Sequence, residues 1–520
     1  MKHILLLIAC LHIFLAHGQK HDYIWTISHT LGEPLASELD FNHDPPLSVP
    51  VEREMYLGGG TNASLCDKDG NLLAYTNGIW IANKLGELME NGDSINSGAW
   101  ANASAAAGVS YLVPQGAFFL PMPNNPDRYC LFHMFIDLTP ITASQTKLLY
   151  SVIDFGYNGG LGKVLEKNIT LIEGDEFLNF NQATAVRHGN GRDWWVILPH
   201  HMKPVYYRFL LTPDGVSGPW EQSGIGFKGP SENFFDYAYG QRIFTLDGAK
   251  FADYDQFNYI QLFDFDRCSG LLSNPVLIDH TLTANGPSTV AQGVAFSPSG
   301  RFLYISRFKD FNEPDADIEL VQYDTEANDI TASETILASC FSPVPYTCGM
   351  SNMLLGPDGK IYIADYDSMA FDVVHHPDAV GNACDFEYGG YEFSVSYPNT
   401  WLPYYPNYRL YDVPDSPCDT LGIDAPVTSI DQVKERGKQI QVFPNPATDV
   451  LQLASFSDKP ISGIFLLYNS IGQQTRQWNL DAERPTHKFT LDDFSNGIYY
   501  WELRPRDGHA VQTGKVIINR

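Results

Sequence analysis

From about residue 64 onward, short runs of alternating apolar and polar positions stop at turns that combine Asp, Ser or Asn with Gly. Period-two alternation marks half-buried β-strands, and a Gly-containing turn supplies the positive-φ positions of a tight hairpin. The same hairpin recurs as SLCDKDGNLLAYT (64 to 76), TAVRHGNGRDWWVIL (184 to 198), RIFTLDGAKFADYD (242 to 255), VAFSPSGRFLYISR (294 to 307) and NMLLGPDGKIYIADY (352 to 366). FLPMPNNPDRYCLFHMF (119 to 135) is a looser copy. With Asn125 standing in for the missing glycine of that copy, the turns at Gly70, Gly191, Gly248, Gly300 and Gly359 lie a little under 60 residues apart on average.

A second hairpin follows the first in several units. YIQLFDFDRCSGLLSNPVLI (259 to 278) and IELVQYDTEANDITASETIL (318 to 337) each pair two strands across a polar turn, and Tyr206 to Leu211 before Thr-Pro-Asp-Gly-Val repeats the plan. Four strands per repeat at this spacing predict propeller blades. Roughly 400 residues, from about Ile24 to Asp424, then give about seven blades, with six or eight the neighbouring counts. A β-sandwich is the competing architecture, but sandwiches rarely repeat one turn at even spacing. Tyr23 to Ser28 is a strand that would complete the last blade.

Beyond residue 425 the pattern changes. Residues 426–440 are polar (DQVKERGKQ), which predicts a linker, and 441–520 hold a separate set of short alternating strands, a small β-sandwich on pattern alone. The fold class is therefore all-β: a propeller over residues 19–425 followed by an immunoglobulin-like sandwich.

At the other end, residues 1–18 (MKHILLLIACLHIFLAHG) join Lys2 to an apolar run and small residues before Gln19, the plan of a secretory signal peptide. The run is short of the ~20 apolar residues that a membrane span needs. Leu7-Ile8-Ala9-Cys10 has the residue types of a lipid-attachment box, but the apolar run continues past Cys10. No later stretch is long and apolar enough to span a membrane.

Composition narrows the partners. The chain has 520 residues with 33 Lys and Arg against 61 Asp and Glu, a net charge of −28. Nucleic-acid binders need a basic face to release counterions, so that class is excluded, and an anionic membrane surface is disfavoured for the same reason. The charge is unevenly placed: residues 440–520 carry eight basic and eight acidic side chains, which leaves −29 on residues 19–439. Export makes disulfides plausible among the seven cysteines that remain without Cys10. Cys340 with Cys348, flanking a Pro-rich loop, is the first pair expected, and Cys384 with Cys418 the second.

Candidate chemistry is sparse. His200 and His375 each lead a His-His pair at a strand end, where two pairs on one propeller face would supply metal ligands; alternation allows only one ligand from each pair. Asp67-Lys68-Asp69-Gly70-Asn71 starts like a calcium loop but lacks the remaining ligands, and a hairpin turn explains it better. Asp310, Asp315, Asp317 and Glu319 form an acidic loop, and calcium is the one cofactor this body invites. The nucleophile motifs GxSxG, HExxH and the P-loop are missing. In WLPYYPNYRLY (401 to 411), Trp401, Tyr404, Tyr405 and Tyr408 are candidates for stacking on a glycan or peptide, against packing between blades.

Two resemblances sharpen this. DRCSGLLSNP, GVAFSPSGRFLYIS, GPDGKIYIA, TAVRHGNGRDWWV and PNYRLYDVPDSPCDTLGID resemble a family of exported Bacteroidota propeller proteins related to WD40-like and lactonase-type propellers. That resemblance implies fold and export and carries no catalytic residue. In the tail, Pro444-Asn445-Pro446, an Asn-Ser-Ile-Gly-Gln turn, Asn496-Gly497-Ile498-Tyr499 and Lys515 resemble, in this order, the type A C-terminal sorting domain of the type IX secretion system. It implies the secretion machinery as partner, with the cargo anchored at the cell surface or released. The expected function is an exported binding module for a glycan, peptide or protein; the rival is an exported hydrolase or lactonase, metal-dependent in its chemistry.

Overall fold

The computed structural model describes residues 19–27, 35–58, 60–137, 145–174, 182–201, 203–227, 240–255, 259–278, 293–308, 317–341, 350–365, 370–393, 402–421, 440–455, 462–469, 473–480, 486–506 and 512–519. The signal-peptide segment lies outside them. The chain forms two compact units that divide between Ala425 and Pro426.

The first unit is a propeller of seven antiparallel sheets, each built from strands consecutive in sequence. Blade 1 has three strands (Ile24–Ile27, Leu35–Asp40, Leu47–Glu52), as does blade 2 (Ala63–Cys66, Leu72–Thr76, Ile81–Asn83). Blades 3 to 7 have four each, starting at Ala117, Thr184, Arg242, Val294 and Met350 and ending at Glu173, Ser223, Ile278, Phe341 and Glu392. A helix, Ala99–Ala107, stands between blades 2 and 3.

The recurring sequence motif is the hairpin from the innermost strand to the second strand of blades 2 to 7. Its glycines 70, 191, 248, 300 and 359 all have φ between 71° and 93°, and in blade 3 Asn124 takes φ 60° in their place. Left-handed backbone at these positions closes each hairpin without a Cβ clash.

Alternation sends each blade's side chains to both neighbours. In blade 4, Trp194, Val196 and Leu198 join the core shared with blade 3, while Trp195 and Ile197 join the core shared with blade 5. Both tryptophans are therefore buried, because a blade has a neighbour on each face.

Ile24–Ile27 does not complete the last blade. It pairs with Leu35–Asp40 as the innermost strand of blade 1, since Met350–Leu355 already fills that position in blade 7. The ring closes instead through side chains: Trp25 and Phe41 of blade 1 meet Tyr362 of blade 7 at ring-centroid distances of 5.5 and 5.7 Å, and Tyr391 donates to the Pro46 carbonyl at 3.0 Å.

The second unit is a sandwich. One sheet holds Ile440–Phe443, Val450–Ser455 and Thr486–Thr490; the other holds Gln474–Leu480, Gly463–Tyr468, Gly497–Pro505 and Gln512–Ile518. Leu451, Leu453, Phe465, Phe489, Trp501 and Val516 fill the space between them.

Candidate functional site

The axis of the propeller is occupied by the chain's own residues 402–413. Tyr405 donates its hydroxyl to the Ile24 carbonyl of blade 1 at 3.0 Å and also bonds to Ser64 of blade 2. Tyr408 donates to the Phe119 carbonyl of blade 3 at 2.7 Å, and Tyr404 bonds to Thr184 of blade 4 and donates to the Arg242 carbonyl of blade 5 at 3.3 Å. Leu402 exchanges backbone bonds with the Asn352 side chain of blade 7. This strap thus reaches the innermost strands of six blades. Burial pushes all three tyrosine hydroxyls far above their usual pKa, so they stay neutral donors. A cavity of 70 Å³ remains beside it, against Val294, Ala295 and Phe296 of blade 6.

Several sequence expectations change here. Tyr404, Tyr405 and Tyr408 are buried, so no ring face is open to a sugar or peptide; the Pro-rich segment is irregular because it packs against the ring, not because it faces water. Trp401 lies outside the described residues. Cys418 pairs with Cys268 and not with Cys384, which is a buried thiol, as are Cys66 and Cys130. The reason is the path of the strap: Val413 N donates to the Gly189 carbonyl at 2.8 Å, and Gly189 sits against both sulfurs of the disulfide. Cys340 is disulfide-bonded, and Cys348 lies outside the described residues.

His200 is buried at the end of the second strand of blade 4, whereas His375 follows the third strand of blade 7 and pairs with Glu387 at 2.9 Å. Among the described residues no three His, Cys, Asp or Glu side chains come together in a group able to hold a metal. The Asp67 carboxylate accepts from Asp69 N, Asn71 N and Asn71 Nδ2 at 2.9 to 3.0 Å, which makes it the clasp of its own hairpin. Glu319 is buried against Arg307 at 3.0 Å.

An open site lies where the first hairpin turns of three successive blades converge. Asp67 to Asp69 of blade 2, Met122 to Asp127 of blade 3 and Gly191 to Arg192 of blade 4 wall a groove of 640 Å³. Gln19, His21, Arg187 and Trp194 complete its lining. Arg187 comes from the innermost strand of blade 4, and its guanidinium lies 4.3 Å from the Trp194 ring. Burial, together with the neighbouring Arg267 guanidinium, holds the Arg187 pKa down to about 10. His21 is also lowered by burial, so it is a neutral ring at pH 7.

In the sequence, TAVRHGNGRDWWV marks a hairpin and carries part of the family resemblance, and neither points to this site. A signal was present: Arg187 is a charge on a four-residue strand whose every position is buried. The groove itself has no signature, because its walls come from turns about 60 residues apart.

In the sandwich, Asn445 and Lys515, two of the residues expected to carry the sorting signal, meet at one edge. Asn445, between Pro444 and Pro446, donates to the Lys515 carbonyl at 3.1 Å and accepts from Ile517 N at 2.9 Å, tying the opening turn to the last strand. Tyr499, two residues after Gly497, is buried and donates to the Ser495 carbonyl at 3.1 Å.

The secretion system C-terminal sorting domain family matches residues 441–519. This tail assigns the chain to type IX secretion, to the cell surface or the extracellular space. No curated protein sequence matches the chain. Among solved structures, PorZ, a surface component of the type-IX secretion system of Porphyromonas gingivalis, is similar at 10% identity and TM-score 0.27, over 95% of this chain and 74% of that one. The Cps50 (Swd1) β-propeller domain of Myceliophteria thermophila gives 11% and 0.36 over 67% and 93%. A gluconolactonase of Xanthomonas campestris gives 12% and 0.27 over 65% and 91%. Superposition at these scores fixes neither ligand nor activity.

Proposed function

We propose that this chain, carried outward by its secretion-system sorting domain, is a binding propeller whose ligand sits in the groove over blades 2 to 4. The observation that supports this reading is the groove: 640 Å³ walled by three hairpin turns on a ring of packed sheets. Turns on a rigid scaffold vary without disturbing the core, and concave sites of this size hold small ligands. The axial channel, where the rival hydrolase or lactonase would place its acidic and His residues, is occupied by the strap, and Asp22 beside it is paired with Arg409 at 2.6 Å.

The test is to purify residues 19–425 and screen a glycan array and a peptide library, alongside lactone, ester, glycoside and peptide substrates with calcium and zinc. Binding without turnover is expected, and substitutions in the turns of blades 2 to 4 should abolish it. Turnover that a chelator removes would favour the hydrolase. Deleting residues 440–520 should leave the propeller in the periplasm; delivery of the truncated chain to the surface or medium would separate export from the tail.

A further inference from the structure

The floor of the groove holds a charge whose hydrogen-bond acceptors among the described residues are all neutral. The Arg187 guanidinium donates to three neutral oxygens: the Gly191 carbonyl at 3.1 Å, the Tyr408 carbonyl at 3.1 Å and Gln19 Oε1 at 2.6 Å. Its Nε finds no acceptor among the described residues, and neither does the Nε1 of Trp194 beneath it, although Arg187 is 6% exposed and Trp194 0%. Buried arginines ordinarily meet a carboxylate. Of the carboxylates nearby, Asp193 accepts from Arg192 at 2.7 Å and from Asn190 at 2.8 Å, Asp69 pairs with Lys68 at 2.8 Å and Asp67 clasps its own turn, while Asp127 lines the groove without bonding to Arg187. Among the described residues no carboxylate is hydrogen-bonded to this cation, although the chain carries a net charge of −28.

We propose that the groove binds a carboxylate carried on an apolar body, and that one carboxylate oxygen takes the place of the Gln19 amide at Arg187 Nη2. This rests on the reading of the groove as the ligand site. Gln19 marks the seat: it lines the groove and holds an oxygen 2.6 Å from the guanidinium. Replacing a neutral acceptor by a charged one roughly doubles the strength of such a bond. The apolar body would meet Pro121, Met122, Pro123 and Pro126 on the adjoining wall, which Asn124, Asn125 and Asp127 share. A free alkyl acid and a peptide C-terminus share this chemistry.

The exported protein, beginning at Gln19 and labelled with nitrogen-15, is titrated with hexanoate, hexanamide, acetyl-Ala-Ala-Leu and the C-terminal amide of that peptide. Affinity is read by calorimetry and position by the Trp194 Nε1–H resonance, identified with Trp194→Phe. The acids should bind at least tenfold more tightly than the amides and move the Trp194 signal. Whichever acid binds more tightly separates an alkyl acid from a peptide terminus as the source. Arg187→Gln should erase the difference between acid and amide. Should that variant not fold, Gln19→Ala carries the test, because vacating the seat should tighten the acids a few-fold and leave the amides unchanged. Acids and amides that bind equally while moving Trp194 would overturn the carboxylate and keep the groove. Acids that bind without moving Trp194, or four probes that all fail to bind, would overturn the proposal itself.

Discussion

In blade 6 every strand pairs with the strand next to it in sequence, and its side chains divide simply: Phe302 and Tyr304 pack toward blade 7, Leu303 and Ile305 toward blade 5. The strap, with its continuation to Cys418, has no such local strand partners among the described residues. Its bonds run to Ile24, Phe119, Asn352 and Cys268, from 50 to 381 residues away in the chain. A blade can therefore form from its own hairpins, whereas the strap's contacts exist only once the ring has assembled. The strap also does what a shared strand would otherwise do, since among the described residues blade 1 takes no strand from the chain's far end. Ring closure is thus a matter of long-range side-chain bonds.

That contrast can be broken most forcefully at the disulfide. Cys268 and Cys418 are separated by 150 residues, and cross-linking a loop of that length stabilises by about 5 kcal/mol in the chain-entropy model. Cys418→Ser should lower the thermal midpoint by several degrees; an unchanged midpoint would mean that the strap is held without its staple. Next comes Tyr408→Ala, which removes a fully buried ring and its bond to Phe119; about 3 to 5 kcal/mol should be lost in chemical denaturation, against about 1 kcal/mol for Tyr408→Phe. If the phenylalanine variant loses as much as the alanine variant, the hydroxyl outweighs the packing.

A blade answers differently to pH. His133 of blade 3 is buried with Nδ1 2.7 Å from Asn96 Oδ1 and Nε2 3.1 Å from Ser151 Oγ, and burial lowers its pKa to about 3. Its contribution is fully present above the unfolded pKa of about 6.5 and falls as pH drops toward the folded value, by about 1.4 kcal/mol per pH unit. His21 and His188, also lowered by burial, add slopes of the same sign, so the measurement is a difference. His133→Gln should flatten the fall in stability between pH 6.5 and 5 relative to the parent chain. The smallest effect belongs to the repeated turn. A Cβ on Gly300 would lie 2.9 Å from Thr245 Cγ2, whereas on Gly359 it meets only Pro298 at 3.9 Å. Gly359→Ala should therefore cost about 1 kcal/mol from backbone strain alone and Gly300→Ala somewhat more. Equal losses at both would show that backbone strain alone sets the cost.

The turns were legible because Gly and Asn report φ directly, and the strands because burial on a sheet has period two. The same period puts Trp194 and Trp195 on opposite faces of their strand, and the neighbouring blades bury both. WLPYYPNY was legible as irregular and aromatic, but polarity and prolines say nothing about whether rings face water or a channel. Cys418 was visible as a disulfide partner; its mate depended on where the strap ends.

The sequence by itself determined the repeat, the hairpins, the acidity of the body, the neutral tail and its sorting motif, because each is written in neighbouring residues. Which blade's carbonyl each tyrosine finds, that Cys268 meets Cys418, and that Gln19, Arg187 and the turns of blades 2 to 4 enclose one groove were decided only by the closed ring. Those contacts join positions with no shared local pattern, and only the circular packing of seven sheets brings them within reach.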